Sequence, residues 1–156
     1  MELRPDSRMR AACLSANTQD ATSIKEIRMH ALVIEDEYLI AALIEDELGD
    51  MGYHSVAIVN CHKDAVSSAQ AKCPDLITAD DRLVEGSGID AVKEICADKV
   101  IPVVYILGDP DMPRDLLPYS YLMAKPFTLG TLRESIGRAV ERARDYGENS
   151  QVASDV

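Results

Sequence analysis

A doubly wound α/β fold built on a parallel sheet is the architecture this sequence predicts, and two observations predict it. Five short apolar runs recur along the chain, and stretches with apolar residues three or four apart separate them. Runs that are apolar throughout, rather than at alternate positions, suit strands covered on both faces. Right-handed crossovers between such strands then place helices on both sides of one sheet.

The first run, ALVI at 31–34, is followed by Leu39, Ile40, Leu43, Ile44, Glu47, Leu48 and Met51, with apolar residues three or four apart and Gly52 as a stop. VAIV at 56–59 and LITA at 76–79 are the second and third strands. Ile89, Val92, Ile95 and Cys96 repeat the helical spacing, and VIPVVYIL at 100–107 supplies the fourth strand. The next connection, GDPDMPRDLLPYS, holds Pro110, Pro113 and Pro118, so a regular helix is not expected there but a short turn or mobile loop. YLMA at 121–124 is the fifth strand. Leu129, Leu132, Ile136, Ala139, Val140 and Ala143 mark a last helix, with Thr128 and a Thr131-x-x-Glu134 box as candidate caps. Residues 1–28 and 144–156 are polar and without lasting periodicity, and are expected to be a flexible arm and tail around one domain at 29–143.

The formal charge of −11 and a pI near 4.6 argue against a nucleic-acid partner, because phosphate backbones are held by clustered Lys and Arg. No run approaches the ~18–20 apolar residues of a membrane span. Cys13, Cys61, Cys73 and Cys96 form no CxxC pair and no export signal precedes them, so a reducing cytoplasm is the expected compartment. Gly86 and Gly88 read as a turn; no Lys lies near enough for a phosphate-cradling loop.

In a doubly wound sheet, ligands gather outside the carboxyl ends of the strands, where strand order reverses. The first strand ends in Glu35, Asp36 and Glu37, the third in Asp80 and Asp81, and the fifth in Lys125. Glu37 reads as a helix N-terminal charge. At ~4 Å and an effective dielectric near 20, each like-charge pair costs roughly 4 kcal/mol, so one lysine cannot offset three carboxylates. A divalent cation is the simplest remedy, and Mg²⁺ suits a site of one or two carboxylates plus waters.

ALVIEDE, CPDLITAD, IPVVYIL and AKPF occur in the order and spacing of a known family, and over residues 30–143 the chain resembles the receiver domains of two-component response regulators. The resemblance implies a flavodoxin-like sheet of order 2-1-3-4-5 and a phosphoprotein of phosphorelay signal transduction. It implies Asp80 as phosphoacceptor, with Mg²⁺ held by Glu35, Asp36, Asp80 and the main-chain carbonyl of Arg82. Lys125 would contact the phosphoryl group. The implied partners are a histidine kinase or histidine phosphotransfer protein and a downstream regulator; from charge and hydropathy no nucleic acid or membrane is expected, and a monomer or weak dimer is the expected state. The chain would be a signalling protein rather than an enzyme, although one assisting its own phosphorylation and dephosphorylation.

Three features depart from the family. Leu107 stands where a threonine or serine hydroxyl usually meets the phosphoryl group, and Leu122 stands where a switch aromatic is usual. Tyr121 lies one place earlier, and strand alternation points it to the other face. The third departure is the proline-broken connection, which resembles that of alphaproteobacterial general-stress-response receivers. No output domain fits after residue 143, so the expectation is a stand-alone receiver acting as adaptor, feedback regulator or phosphate sink. The alternative is a phosphorylation-independent binding module with the same fold. A small-substrate phosphatase lacks support, since Arg82 breaks the DxD such enzymes use.

Overall fold

The backbone hydrogen bonds of the computed structural model, which describes residues 27–112 and 114–154, join five parallel strands in the order β2-β1-β3-β4-β5. The strands are β1 (Met29–Ile34), β2 (Tyr53–Val59), β3 (Leu76–Ala79), β4 (Val103–Leu107) and β5 (Tyr121–Ala124). The helices are α1 (Tyr38–Asp50), α2 (His62–Ala71), α3 (Gly88–Ile95) and α4 (Leu129–Ser154). The expected doubly wound sheet is therefore present, and its order reverses between β1 and β3.

Alternation along each strand divides the core into two layers. Leu32, Ile34, Ile77, Ala79, Val103, Tyr105 and Leu107 pack on one face against Ala65 and Ala69 of α2 and Ile89, Val92 and Ile95 of α3. Ala31, Val33, Leu76, Val104, Ile106 and Met123 pack on the other against Ala41, Ile44 and Leu48 of α1 and Leu132, Ile136 and Ala139 of α4. Apolar residues on both sides of one strand explain why the runs are continuous.

The buried seam of α1 is narrower than its apolar spacing implies. Ala41, Ile44 and Leu48 are buried, whereas Leu39 and Leu43 lie on the solvent side. Glu47 is also buried in α1, where Arg133 of α4 donates to it and offsets its charge. Gly52 ends the segment with φ +98°, a left-handed conformation that favours glycine. At α4, Thr128 is the cap, its hydroxyl accepting from the Thr131 backbone N–H at 3.1 Å. Thr131 stands inside the helix, so the Thr131-x-x-Glu134 box does not form the terminus.

Two terminal expectations meet different outcomes. The arm at 1–28 lies outside the described residues but for Ile27 and Arg28. The region expected to be a tail from 144 is helical to Ser154, because α4 continues past its core-facing stretch. Tyr146 packs on Tyr119 with ring centroids 4.9 Å apart, and the Ser150 and Ser154 hydroxyls donate to carbonyls one turn back. That anchor is one aromatic contact rather than an apolar stripe, which is why periodicity missed it.

No helix forms over the described residues between β4 and β5, in keeping with the prolines; Pro113 itself lies outside them. The segment is nevertheless tied down. Tyr119 is buried, Arg142 donates to the Ser120 carbonyl at 2.8 Å, and Lys93 of α3 pairs with Asp115 at 2.8 Å. Among the described residues no helix is long and apolar enough to cross a membrane.

His30 supplies a test at the amino-terminal end of β1. Its ring faces the Ser55 hydroxyl at 2.7 Å, and its backbone N–H donates to Asp75 at 2.7 Å. Burial and the nearby Lys72 push its pKa below the ordinary 6.5, against the opposing pull of the Ser55 carbonyl and Asp75. A folded pKa below the unfolded one means that the unfolded chain takes the proton first. The contribution is fully present above 6.5 and is lost as pH falls from there through the depressed folded value. Thermal melts of the wild type should show Tm falling on acidification below that point, and His30→Gln should flatten this part of the profile.

Candidate functional site

Backbone pairing carries each strand one residue past its regular end and so sets the candidate side chains next to one another. The Glu35 N–H donates to the Val59 carbonyl, the Asp80 N–H to Ile34, and the Lys125 N–H to Leu107, all at 2.8–2.9 Å. Glu35 and Asp80 thus stand side by side where the strand order reverses, the place a doubly wound sheet offers for a ligand.

Lys125 joins the group from across β4. Its Nζ lies 3.0 Å from Asp80 Oδ2, 3.0 Å from Glu35 Oε2 and 3.4 Å from Glu37 Oε1. Glu35 is 3% exposed and Asp80 7%, so both carboxylates have lost most of their water. The remaining oxygens find backbone donors: the Glu37 N–H reaches Glu35 Oε1 at 3.1 Å and the Asp81 N–H reaches Asp80 Oδ1 at 2.7 Å. Burial pushes the Glu35 carboxyl up from its ordinary value, and the donors from Glu37 and Lys125 only partly oppose this. Burial also works against the Lys125 ammonium, yet its hydrogen bonds to Asp80 and Glu35 outweigh that and hold its pKa above the ordinary lysine value. Lys125 therefore stays charged at neutral pH.

Glu35, Asp36, Glu37 and Asp80 each place a carboxylate oxygen within 4.8 Å of the others. Four carboxylates against one ammonium leave an excess of negative charge, and hard oxygen donors with Asp36 and Glu37 open to solvent suit Mg²⁺. The donor set fits that ion. The cluster opens into a cleft of about 400 Å³ lined also by Asp81, Arg82, Leu107, Gly108, Asp109 and Arg114.

Asp80 and Asp81 have different surroundings. Asp81 is held by other partners, accepting from the Ser87 hydroxyl at 2.7 Å and from Arg114 Nε at 3.1 Å. Ser87 in turn caps α3, accepting from the Ile89 and Asp90 N–H groups. Gly88, the first residue of that helix, passes so close to the end of β3 that a Cβ there would lie 1.7 Å from the Asp80 carbonyl oxygen. Absence of a side chain, not turn geometry, is what this position requires.

Glu35, Asp36, Asp80 and Lys125 are brought together, and Arg82 lies at the cleft rim with an exposed side chain. Leu107 is fully buried at the end of β4 and gives the cleft no hydroxyl. Tyr121 turns to the α4 layer beneath Arg142, whose guanidinium carbon is 5.1 Å from the ring centroid, while Leu122 is partly exposed on the opposite side. Two residues were missed. Glu37, read as a helix charge, faces Lys125, and it caps nothing with its side chain. Arg114 had no local signal beyond being the single cation of the proline-rich connection.

Gly88→Ala is expected to displace the end of β3, costing about 1–3 kcal/mol or more in denaturant unfolding. It should also weaken Mg²⁺ binding measured by titration calorimetry. A variant with wild-type stability and Mg²⁺ affinity would contradict the close approach.

Residues 31–136 match the family model described as the response regulator receiver domain. The transcriptional regulatory protein PdtaR of Mycobacterium tuberculosis is 31% identical over 85% of this chain and 65% of its own length. The phyllosphere-induced regulator PhyR of Methylorubrum extorquens is 33% identical over 70% of this chain. The chain spans less than two thirds of these relatives, 42% in the case of PhyR. Among solved structures, the receiver domain of a sensor histidine kinase from Pseudomonas aeruginosa PAO1 has a TM-score of 0.63 at 25% identity. It covers 72% of this chain and 98% of that one, and carries a magnesium ion coordinated in its active site cleft. With the sheet order, the acidic cluster at the reversal point and Lys125 beside Asp80, these matches place the chain in the response regulator receiver domain family.

Proposed function

We propose that this receiver accepts a phosphoryl group on Asp80 from a phosphohistidine of a histidine kinase or histidine phosphotransfer protein. The observation that carries the reading is the contact of Lys125 Nζ with a nearly buried Asp80 inside a four-carboxylate cluster. An Asp80 oxygen attacks phosphorus and forms the O–P bond. The N–P bond to the donor imidazole breaks, and its electron pair stays on the ring nitrogen. Lys125 neutralises charge spreading over the phosphoryl oxygens. Glu35, Asp36, Asp80 and the Arg82 carbonyl would hold Mg²⁺, and the ion when bound would supply further charge neutralisation. Asp81 takes no part, being held by Ser87 and Arg114.

The chain then works as a signalling protein rather than a turnover enzyme, in the cytoplasm with its kinase, as an adaptor, feedback regulator or phosphate sink. A second reading, a binding module independent of phosphorylation, draws on Leu107 and on the helix-free connection after β4. It gives no reason for Lys125, Glu35 and Asp80 to remain in contact.

Incubation with a phosphorylated histidine kinase and Mg²⁺ should label the wild type and Asp81→Asn but not Asp80→Asn. Removing the ion with a chelator should lower the labelling rate by about a hundredfold or more. Equal labelling of Asp80→Asn would refute the acceptor assignment. No labelling of any form, together with kinase binding that ignores phosphorylation, would favour the binding module.

A further inference from the structure

Leu107 leaves the cleft without a hydroxyl at the end of β4, but a different donor stands there. The Arg114 guanidinium lines the same cleft as Asp80, Lys125 and Leu107, with only 11% of its side chain exposed. It is reached through the connection that replaces the crossover helix, so the two departures from the family pattern meet at one residue.

Its bonding is asymmetric. Nε donates to Asp81 Oδ2, and Nη1 donates to the Asp109 and Met112 carbonyls. Nη2 has no acceptor among the described residues, which leaves N–H groups able to turn toward a new anion. The present partner, Asp81, is a single carboxylate shared with Ser87, and it is the neighbour of the acceptor.

We propose that Arg114 is a phosphoryl ligand that takes the place of the missing hydroxyl and reports the state of Asp80. The inference rests on Asp80 being the phosphoacceptor. Phosphorylation puts about 1.5 to 2 negative charges and three acceptor oxygens in this cleft. Phosphoryl oxygens match a planar guanidinium in a forked geometry and outcompete a singly charged carboxylate for it. Arg114 therefore shifts from Asp81 toward the phosphoryl group. Because the same guanidinium holds the Asp109 and Met112 carbonyls, and the adjacent Asp115 is paired with Lys93 of α3, that shift moves the connection between β4 and β5 relative to α3. The signal leaves by a loop rather than by a hydroxyl-gated aromatic.

The test uses the full chain with arginine side chains labelled with ¹⁵N, and beryllofluoride with Mg²⁺ as the phosphoryl mimic. An Nε–H resonance that disappears in Arg114→Gln should shift on addition of beryllofluoride to the wild type. Beryllofluoride affinity should fall about tenfold in Arg114→Gln, as expected for losing a hydrogen bond to a charged group, with Arg114→Lys intermediate. Affinity for Mg²⁺ alone should not weaken in either variant. An unmoved resonance with equal beryllofluoride affinity in all three proteins overturns the role of Arg114 and leaves the acceptor reading intact. Loss of Mg²⁺ affinity along with beryllofluoride affinity would make Arg114 a structural support only, and overturns the proposal too. A wild type that binds Mg²⁺ but no beryllofluoride overturns the acceptor reading and this inference with it.

Discussion

The contact of the Lys125 ammonium with Asp80 and Glu35 is the interaction on which the rest of this site depends. Two carboxylates that have lost most of their water repel each other at this range, and a cation between them offsets that repulsion. Lys125 meets both at 3.0 Å and remains charged because they outweigh the cost of its own burial. It does not neutralise the group, since Asp36 and Glu37 add their own charge. The folded chain therefore holds an acidic site short of positive charge, with a donor set that fits a divalent ion.

That contact exists because the sheet brings three distant segments to one edge. β1 and β3 pair directly, and β5 reaches the site across β4, so Lys125 and Asp80 meet from positions 45 residues apart. The two apolar layers set the geometry of the edge. Helices α2 and α3 cover one face and α1 and α4 the other, and Gly88 lets α3 lie against the Asp80 carbonyl. A methyl group there would push Asp80 out of line. Core packing and site geometry are in this sense the same constraint.

The connection after β4 shows how a fold tolerates losing an element. With prolines excluding a regular helix, the segment is held by Tyr119 in the core, by Arg142 on the Ser120 carbonyl and by Lys93 on Asp115. Arg114 fastens the start of the segment to Asp81. These are polar and aromatic ties at single points, easier to rearrange than a packed helix face.

Much of this was legible in the sequence because it is written locally. The five continuous apolar runs mark strands buried on both faces, and the spacing of Ile44 and Leu48 or Leu132 and Ile136 marks helices that cover them. The prolines rule out the fourth crossover helix through their own backbone chemistry. Acids after the first and third strands and a lysine after the fifth follow from counting residues past each run. Tertiary structure alone decided which charges meet. Glu37 faces Lys125 from 88 positions away, Arg114 holds Asp81 from 33 away, and Glu47 is buried because Arg133 reaches it from 86 away. Leu39 and Leu43 share the apolar spacing of α1 yet stay at the surface, and α4 runs on to Ser154 through one aromatic contact. Periodicity reports which face of a segment can be buried. Which partner arrives there depends on how distant segments pack, and no local pattern encodes that.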